Sequence, residues 1–182
     1  MSRRDPAELV IDACVARASG KENATYPTSK NCRDFLKAVL ENGHRLAMTP
    51  DILAEWKAHE SNFARKWRLG MIARKRITVL CVRQDELIRG KIVGCHNNER
   101  VMAIMLKDML LIEAACATGN SVISIDEEAR SHFNRTALVV TELRCIIWVN
   151  PDRAQESPVT WLERGAPREA HRMLGRQPPI VE

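Results

Sequence analysis

A chain of 182 residues can close one well-buried core with a short extension. Its formal charge of +5 is a modest basic excess that suits an anionic partner, and no apolar run approaches the roughly 20 residues that a bilayer-spanning helix needs. The N-terminus carries no apolar signal core, and the cysteines at 14, 32, 81, 95, 116 and 145 form no Cys-x-x-Cys pair, which argues against a zinc framework and for a reducing cytoplasm.

Leu9-Val10-Ile11-Asp12-Ala13 reads as a short buried strand ending in an acid. Residues 29–42 place Phe35, Leu36, Val39 and Leu40 on one helical face, with Gly43 as the stop. Arg45-Leu46-Ala47-Met48 is a second strand, after which Thr49 is an expected N-cap and Pro50 a first helical residue. The densest basic stretch follows, with Arg65, Lys66, Arg68, Arg74, Lys75 and Arg76 around Trp67. Such a stretch either tracks a phosphate backbone or is an ordinary solvated helix face. The β-branched run at 77–82 predicts a third strand, and the segment 91–100, with Gly94 and Asn97-Asn98, a loop near the site. A helix is expected over 102–118, ending at Gly119. Ser121-Val122-Ile123-Ser124-Ile125-Asp126 then repeats the pattern of a strand ending in an acid. A helix over 127–133, a fifth strand at 145–149 halted by Asn150-Pro151, and short helices near 160–164 and 168–174 complete the pattern. Strands alternating with helices imply right-handed crossovers and a parallel sheet. Cys81, Cys116 and Cys145 lie in apolar segments and are expected in the core. Cys95-His96 reads as an incidental loop feature.

Asp12, Glu55, Asp108 and Asp126 are brought together by this reading. Asp12 and Asp126 end strands, and ligands of open parallel sheets bind beyond the carboxyl ends of the strands. From Asp108 to the helix stop is roughly 15 Å at helical rise, and the following strand runs back by about the same length, which returns Asp126 to the level of Asp108. Glu55 lies about five residues into its helix, roughly 7 Å above the end of the second strand. Taken singly, Asp12 and Asp126 read equally well as helix caps and Glu55 as a solvated residue. Asp108 is different, because Met105, Leu106, Met109, Leu110, Leu111 and Ile112 surround it, and a buried carboxylate must be neutralised, paired or bound to a cation.

Val10-Ile11-Asp12-Ala13, then Thr49-Pro50-Asp51-Ile52-Leu53-Ala54-Glu55-Trp56, then Lys107-Asp108-Met109-Leu110-Leu111-Ile112-Glu113-Ala114-Ala115, then Ile123-Ser124-Ile125-Asp126-Glu127 resemble the successive motifs of PIN-domain ribonucleases in order and in approximate spacing. The resemblance covers about residues 8 to 150. It implies an α/β fold, an αβα sandwich on a central, mostly parallel five-stranded sheet, with residues 1–150 as the nuclease domain and 151–182 as a C-terminal extension. It also implies an acidic pocket in which Asp12, Glu55, Asp108 and Asp126 hold magnesium or manganese. Ser124 matches a small hydroxyl position, and Glu127 or Glu128 supplies a further supporting acid. RNA as substrate, and an antitoxin or a second copy of the chain as partner, follow from the resemblance alone.

Other enzyme classes fit less well. A haloacid-dehalogenase-like phosphatase wants a second aspartate where Cys14 stands, a dinucleotide enzyme wants glycines where Ala13-Cys14-Val15-Ala16 stand, and neither a P-loop nor a nucleophile elbow is present. The expectation is metal-assisted phosphodiester hydrolysis. The alternative from another class is a PIN-like module that binds nucleic acid or protein without cleaving.

Overall fold

The computed structural model describes residues 6–177 and is an α/β sandwich. Five strands, β1 (Glu8–Ile11), β2 (Arg45–Met48), β3 (Ile77–Val79), β4 (Ser121–Ile123) and β5 (Ile147–Val149), form one sheet in the order β3-β2-β1-β4-β5. Every pairing is parallel. Helices α1 (Ala13–Ala18), α2 (Pro27–Glu41), α3 (Pro50–His59), α4 (Asn62–Ala73), α5 (Glu86–Cys95), α6 (Glu99–Cys116), α7 (Glu127–Thr136) and α8 (Pro158–Glu163) surround it. Strands β1, β4 and β5 read as unbroken apolar runs because helices cover both faces: Leu9, Val10, Ile11, Val122, Ile123, Ile147, Trp148 and Val149 are all fully buried. The chain leaves β1 towards β2 and β3 on one side and returns to β4 and β5 on the other. The switch point therefore lies between β1 and β4, where a ligand crevice is expected in an open sheet.

Several elements differ from their sequence expectation for local reasons. Strand β3 stops at Val79, because its neighbour β2 ends at Met48 and Pro50 already opens α3; the last bond of the ladder is from Leu80 N to the Met48 carbonyl, 2.8 Å. Cys81 is consequently exposed rather than in the core. Much of the expected loop over 91–100 is helical. Asp85 caps α5 by accepting from Ile88 N at 3.0 Å, and Asn98 caps α6 by accepting from Arg100 N and Val101 N. Gly119 does not supply a left-handed turn, a role taken by Asn120 at φ 59°. A Cβ on Gly119 would stand 2.9 Å from the Glu8 carbonyl, so close backbone approach is what demands glycine. Cys145 ends a 3-10 turn (Thr141–Cys145), and β5 starts only at Ile147. The helix expected near 168–174 is a 3-10 turn over Ala170–Arg172, followed by an antiparallel bridge from Met173 to Ile147.

The segment after β5 packs on the same core, with Trp161, Leu162 and Leu174 buried. His44 ties it to the sheet: Nδ1 accepts from Ala7 N at 3.1 Å, so Nε2 donates to the Leu162 carbonyl at 2.9 Å. Burial holds this imidazole below its ordinary pKa, which keeps the neutral tautomer that the two bonds require. Residues 178–182 of the expected extension lie outside the described residues.

Candidate active site

Asp12 follows the last residue of β1 and continues the ladder, donating N–H to the Ile123 carbonyl at 2.9 Å. Its side chain caps α1, Oδ1 accepting from Cys14 N at 3.2 Å. Oδ2 accepts from the Ser124 hydroxyl at 2.7 Å and from the Cys14 thiol at 2.9 Å. Ser124 is fully buried, and its oxygen in turn accepts from Asp126 N at 3.1 Å. One hydroxyl thus fixes the spacing between the two strand ends of the switch point. Asp126 is exposed and caps α7, accepting from Ala129 N at 2.9 Å. Both aspartates are therefore helix caps and also stand where the sheet presents a crevice; the two readings hold together.

Thr49 caps α3 as expected, its hydroxyl accepting from Ile52 N at 3.3 Å, and the helix carries Glu55 to the same edge. Trp56 anchors that turn by donating Nε1–H to the Ile11 carbonyl at 2.8 Å, one residue before Asp12. Helix α6 buries Met105, Met109, Leu111 and Ile112 and leaves Asp108 half-buried. Neither Asp108 nor Glu55 has a hydrogen-bond or ion-pair partner among the described residues. The Asp108 carboxyl is pushed up to about 7, first by burial and then by the negative charges of Asp12 and Asp126, with Glu55 adding to them and Lys107 opposing. Four acids from β1, α3, α6 and the β4–α7 junction thus share one field.

They do not form a closed cage: among the described residues no three acidic, imidazole or thiol side chains stand at cation-binding distance. The donor set nevertheless fits a hard divalent cation, since it is all carboxylate oxygen and Asp108 is half-buried without a paired cation.

The remaining candidates separate. Glu127 accepts from Asn150 Nδ2 at 2.6 Å and pairs with Arg130 and Arg153, so it belongs to the clamp on the C-terminal segment. Glu128 is exposed and meets Arg100 at 3.2 Å. The six basic residues do not form one face. Arg68 is buried at 6% exposure, and its Nε and Nη2 donate to Glu60 at 2.8 and 2.7 Å. Arg76 donates to the Leu40 carbonyl. Arg74, Lys75 and Arg76 immediately precede β3, at the edge of the parallel sheet opposite the acids. Arg65 and Lys66 are exposed in the N-terminal half of α4, and Lys66 meets Glu22 at 2.8 Å.

Cys14 is the residue that sequence reasoning missed. Its thiol also stands 3.3 Å from Ser124 Oγ, and burial and the neighbouring Asp12 charge push its pKa far up, so it remains a neutral donor. The available signal was its place two residues after a capping aspartate, where the first helical turn folds back onto the cap. A cavity of about 380 Å³ lies on the β2–β3 side of the same edge, lined among others by Thr49, Leu80, Gln84 and Leu110, and none of the four acids lines it. Comparison with protein-family models, curated proteins and solved structures finds no match, so the geometry of this edge carries the functional argument.

Proposed function

We propose that this chain is a metal-dependent nuclease of the PIN-like kind that hydrolyses phosphodiester bonds. The observation that supports the reading most is the half-buried Asp108 carboxylate, which feels Asp12, Asp126 and Glu55, with Lys107 opposing them but making no ion pair with it among the described residues. Nothing in the packing of α6 requires an acid there, and the arrangement is costly unless a cation uses it. Asp12, Asp108 and Asp126 would hold magnesium or manganese, with Glu55 completing the set. When bound, the cation supplies charge neutralisation and polarisation of the phosphoryl group.

The chain's own groups have separate tasks. Ser124 and Cys14 hold Asp12 Oδ2 in one orientation, so the carboxylate is placed before a substrate arrives. Asp126 is fixed by its cap bond and by its N–H to Ser124. Glu55, unpaired on α3, is free to accept a proton from a water beside the phosphate. The preference for RNA over DNA, and a partner such as an antitoxin or a second copy of the chain, rest on the motif resemblance.

A second reading has one observation in its favour: the acids do not stand at cation-binding distance, as a non-cleaving binding module would allow. Cleavage of labelled single-stranded RNA and DNA with and without manganese separates the two. Metal-dependent cleavage that falls on the order of 10²-fold or more in Asp12→Asn and Asp126→Asn is expected, since several kcal/mol of charge stabilisation is removed. Asparagine keeps both helix caps, so the variants should remain folded. Absence of cleavage in the parent, or unchanged cleavage in either variant, overturns the assignment.

A further inference from the structure

The cavity on the β2–β3 side of the edge has no task in the chemistry proposed for the acids. Its volume of about 380 Å³ lies towards the lower end of the range for sites that take small organic molecules. It shares two helices with the acids. Asp51 lines it from the first turn of α3, one helical turn or roughly 6 Å before Glu55, and Leu110 lines it from α6, roughly 3 Å along the axis beyond Asp108.

Leu80, Val82 and Leu110 give the cavity apolar wall, and its charged groups are Asp51, Arg89 and Glu113. Arg89 of α5 donates from Nε at 2.7 Å and from Nη2 at 2.8 Å to Glu113 of α6, so its charge is offset and its plane is held. What a guanidinium bound along that edge still offers an occupant is its flat face, on which a nucleobase stacks. The side chains of Asp51 and Gln84 make no hydrogen bond or ion pair among the described residues. Asp51 is stable there without one, since the first turn of a helix favours an acid. With Arg89 and Glu113 offsetting each other, Asp51 leaves the lining net negative. A phosphate is therefore repelled, whereas a flat neutral ring that carries an amine suits it. The carboxylate can only accept hydrogen bonds, and the Gln84 amide can donate to a ring nitrogen or carbonyl.

We propose that this cavity takes an amino-bearing nucleobase, adenine, cytosine or guanine, of the nucleotide next to the phosphate at the acids, with Asp51 accepting from the exocyclic amine. Uracil has no such amine and sets carbonyl oxygens against the carboxylate, so it is disfavoured. The place of the base beside a scissile phosphate rests on the nuclease assignment; the cavity's selection of an amino-bearing ring rests on its own lining.

Cys81 is free, exposed and part of the lining, so it reports occupancy in the parent chain. The full chain in chelator-treated buffer is alkylated with iodoacetamide in the presence of adenosine, cytidine or uridine, and the rate at each cysteine is followed by peptide mass spectrometry. Adenosine and cytidine should slow the reaction of Cys81 and leave that of the exposed Cys95 unchanged. Equal protection by uridine should need about tenfold more, the worth of one hydrogen bond to a charged acceptor. Asp51→Asn, at an exposed position, should close that gap. An unprotected Cys81, equal slowing at Cys95, equal potency of uridine in the parent, or a gap kept in Asp51→Asn would overturn the proposal. On single-stranded RNA with manganese, cuts by the parent should fall beside adenine, cytosine and guanine in preference to uracil, and the bias should fade in Asp51→Asn. Cuts indifferent to the base would overturn the placement beside the scissile phosphate. The two assignments fail separately, because the alkylation needs neither metal nor cleavage: protection of Cys81 in a chain that cuts nothing would overturn the nuclease assignment and leave the cavity a nucleobase site, and cutting without protection would overturn the cavity alone.

Discussion

Replacing Asp108 by asparagine should stabilise the metal-free protein, and by more as pH rises. The carboxyl titrates at 3.8 ordinarily and at about 7 in the folded chain. Between those values the native state keeps a proton that the unfolded chain has lost, so stability falls as pH rises through the window and levels off above it. Linkage puts the cost of Asp108 at about 1.7 kcal/mol at about pH 5 and about 4 kcal/mol at about pH 8. Asparagine has nearly the same shape and no charge, so the variant should gain about 2.5 kcal/mol on the parent between the two conditions, whatever its fixed packing difference. For a chain of this length that is roughly 5 to 10 °C in melting temperature. The assay is urea unfolding of both proteins in chelator-treated buffer at the two pH values. Manganese should then favour the parent, by about 2.7 kcal/mol at a hundredfold excess over its dissociation constant, and should do little for the variant. A stability difference that does not change with pH would mean that Asp108 does not share a field with the other acids.

Arg68→Ala would leave the Glu60 carboxylate, 5% exposed, buried without its partner, and should cost about 3 to 5 kcal/mol in urea unfolding; a loss below about 1 kcal/mol would return Arg68 to the solvated face. The double change Arg65→Gln with Lys66→Gln should lower the steepness of the dependence of RNA affinity on salt by about one to two. An unchanged slope would remove those side chains from the phosphate path. Gly119→Ala should cost about 1 to 3 kcal/mol, because its Cβ would press on the Glu8 carbonyl at 2.9 Å; equal thermal stability of variant and parent would show that the turn has slack.

What was legible in the sequence was whatever a strand end or a cap fixes locally. Asp12 and Asp126 stand one step past apolar runs, and Thr49-Pro50 announces the helix of Glu55. What was not legible depended on partners distant in the chain. Arg68 reads as one of six cations until Glu60 folds back across the Ser61 turn to take both ends of its guanidinium. The length of β3 depended on where β2 stopped, which a β-branched run cannot reveal. Gly94 and Asn97-Asn98 suggested a loop, but the cap from Asp85 and the Arg89–Glu113 pair, 2.7 Å apart, hold residues up to Cys95 as α5. Cysteines 116 and 145 read as core residues because their sequence neighbours are apolar, but Cys116 is exposed at the last turn of α6 and Cys145 half-buried at the end of the 3-10 turn.

The acids also differ in how the fold supports their charge. Asp12 receives one N–H, one hydroxyl and one thiol, and Asp126 receives an N–H of the α7 first turn. Both sit at helix N-termini, where exposed amides favour a negative group. Asp108 sits in mid-helix, where the amides are already bonded within the helix, and its neighbours are apolar or acidic except for Lys107. The cost of bringing the carboxylates together therefore falls on Asp108. Removing charge at Asp12 or Asp126 sacrifices hydrogen bonds that the negative form strengthens, and so mixes two effects. Removing it at Asp108 relieves repulsion with no such loss, which makes that position the cleanest reporter of whether a cation belongs at this edge.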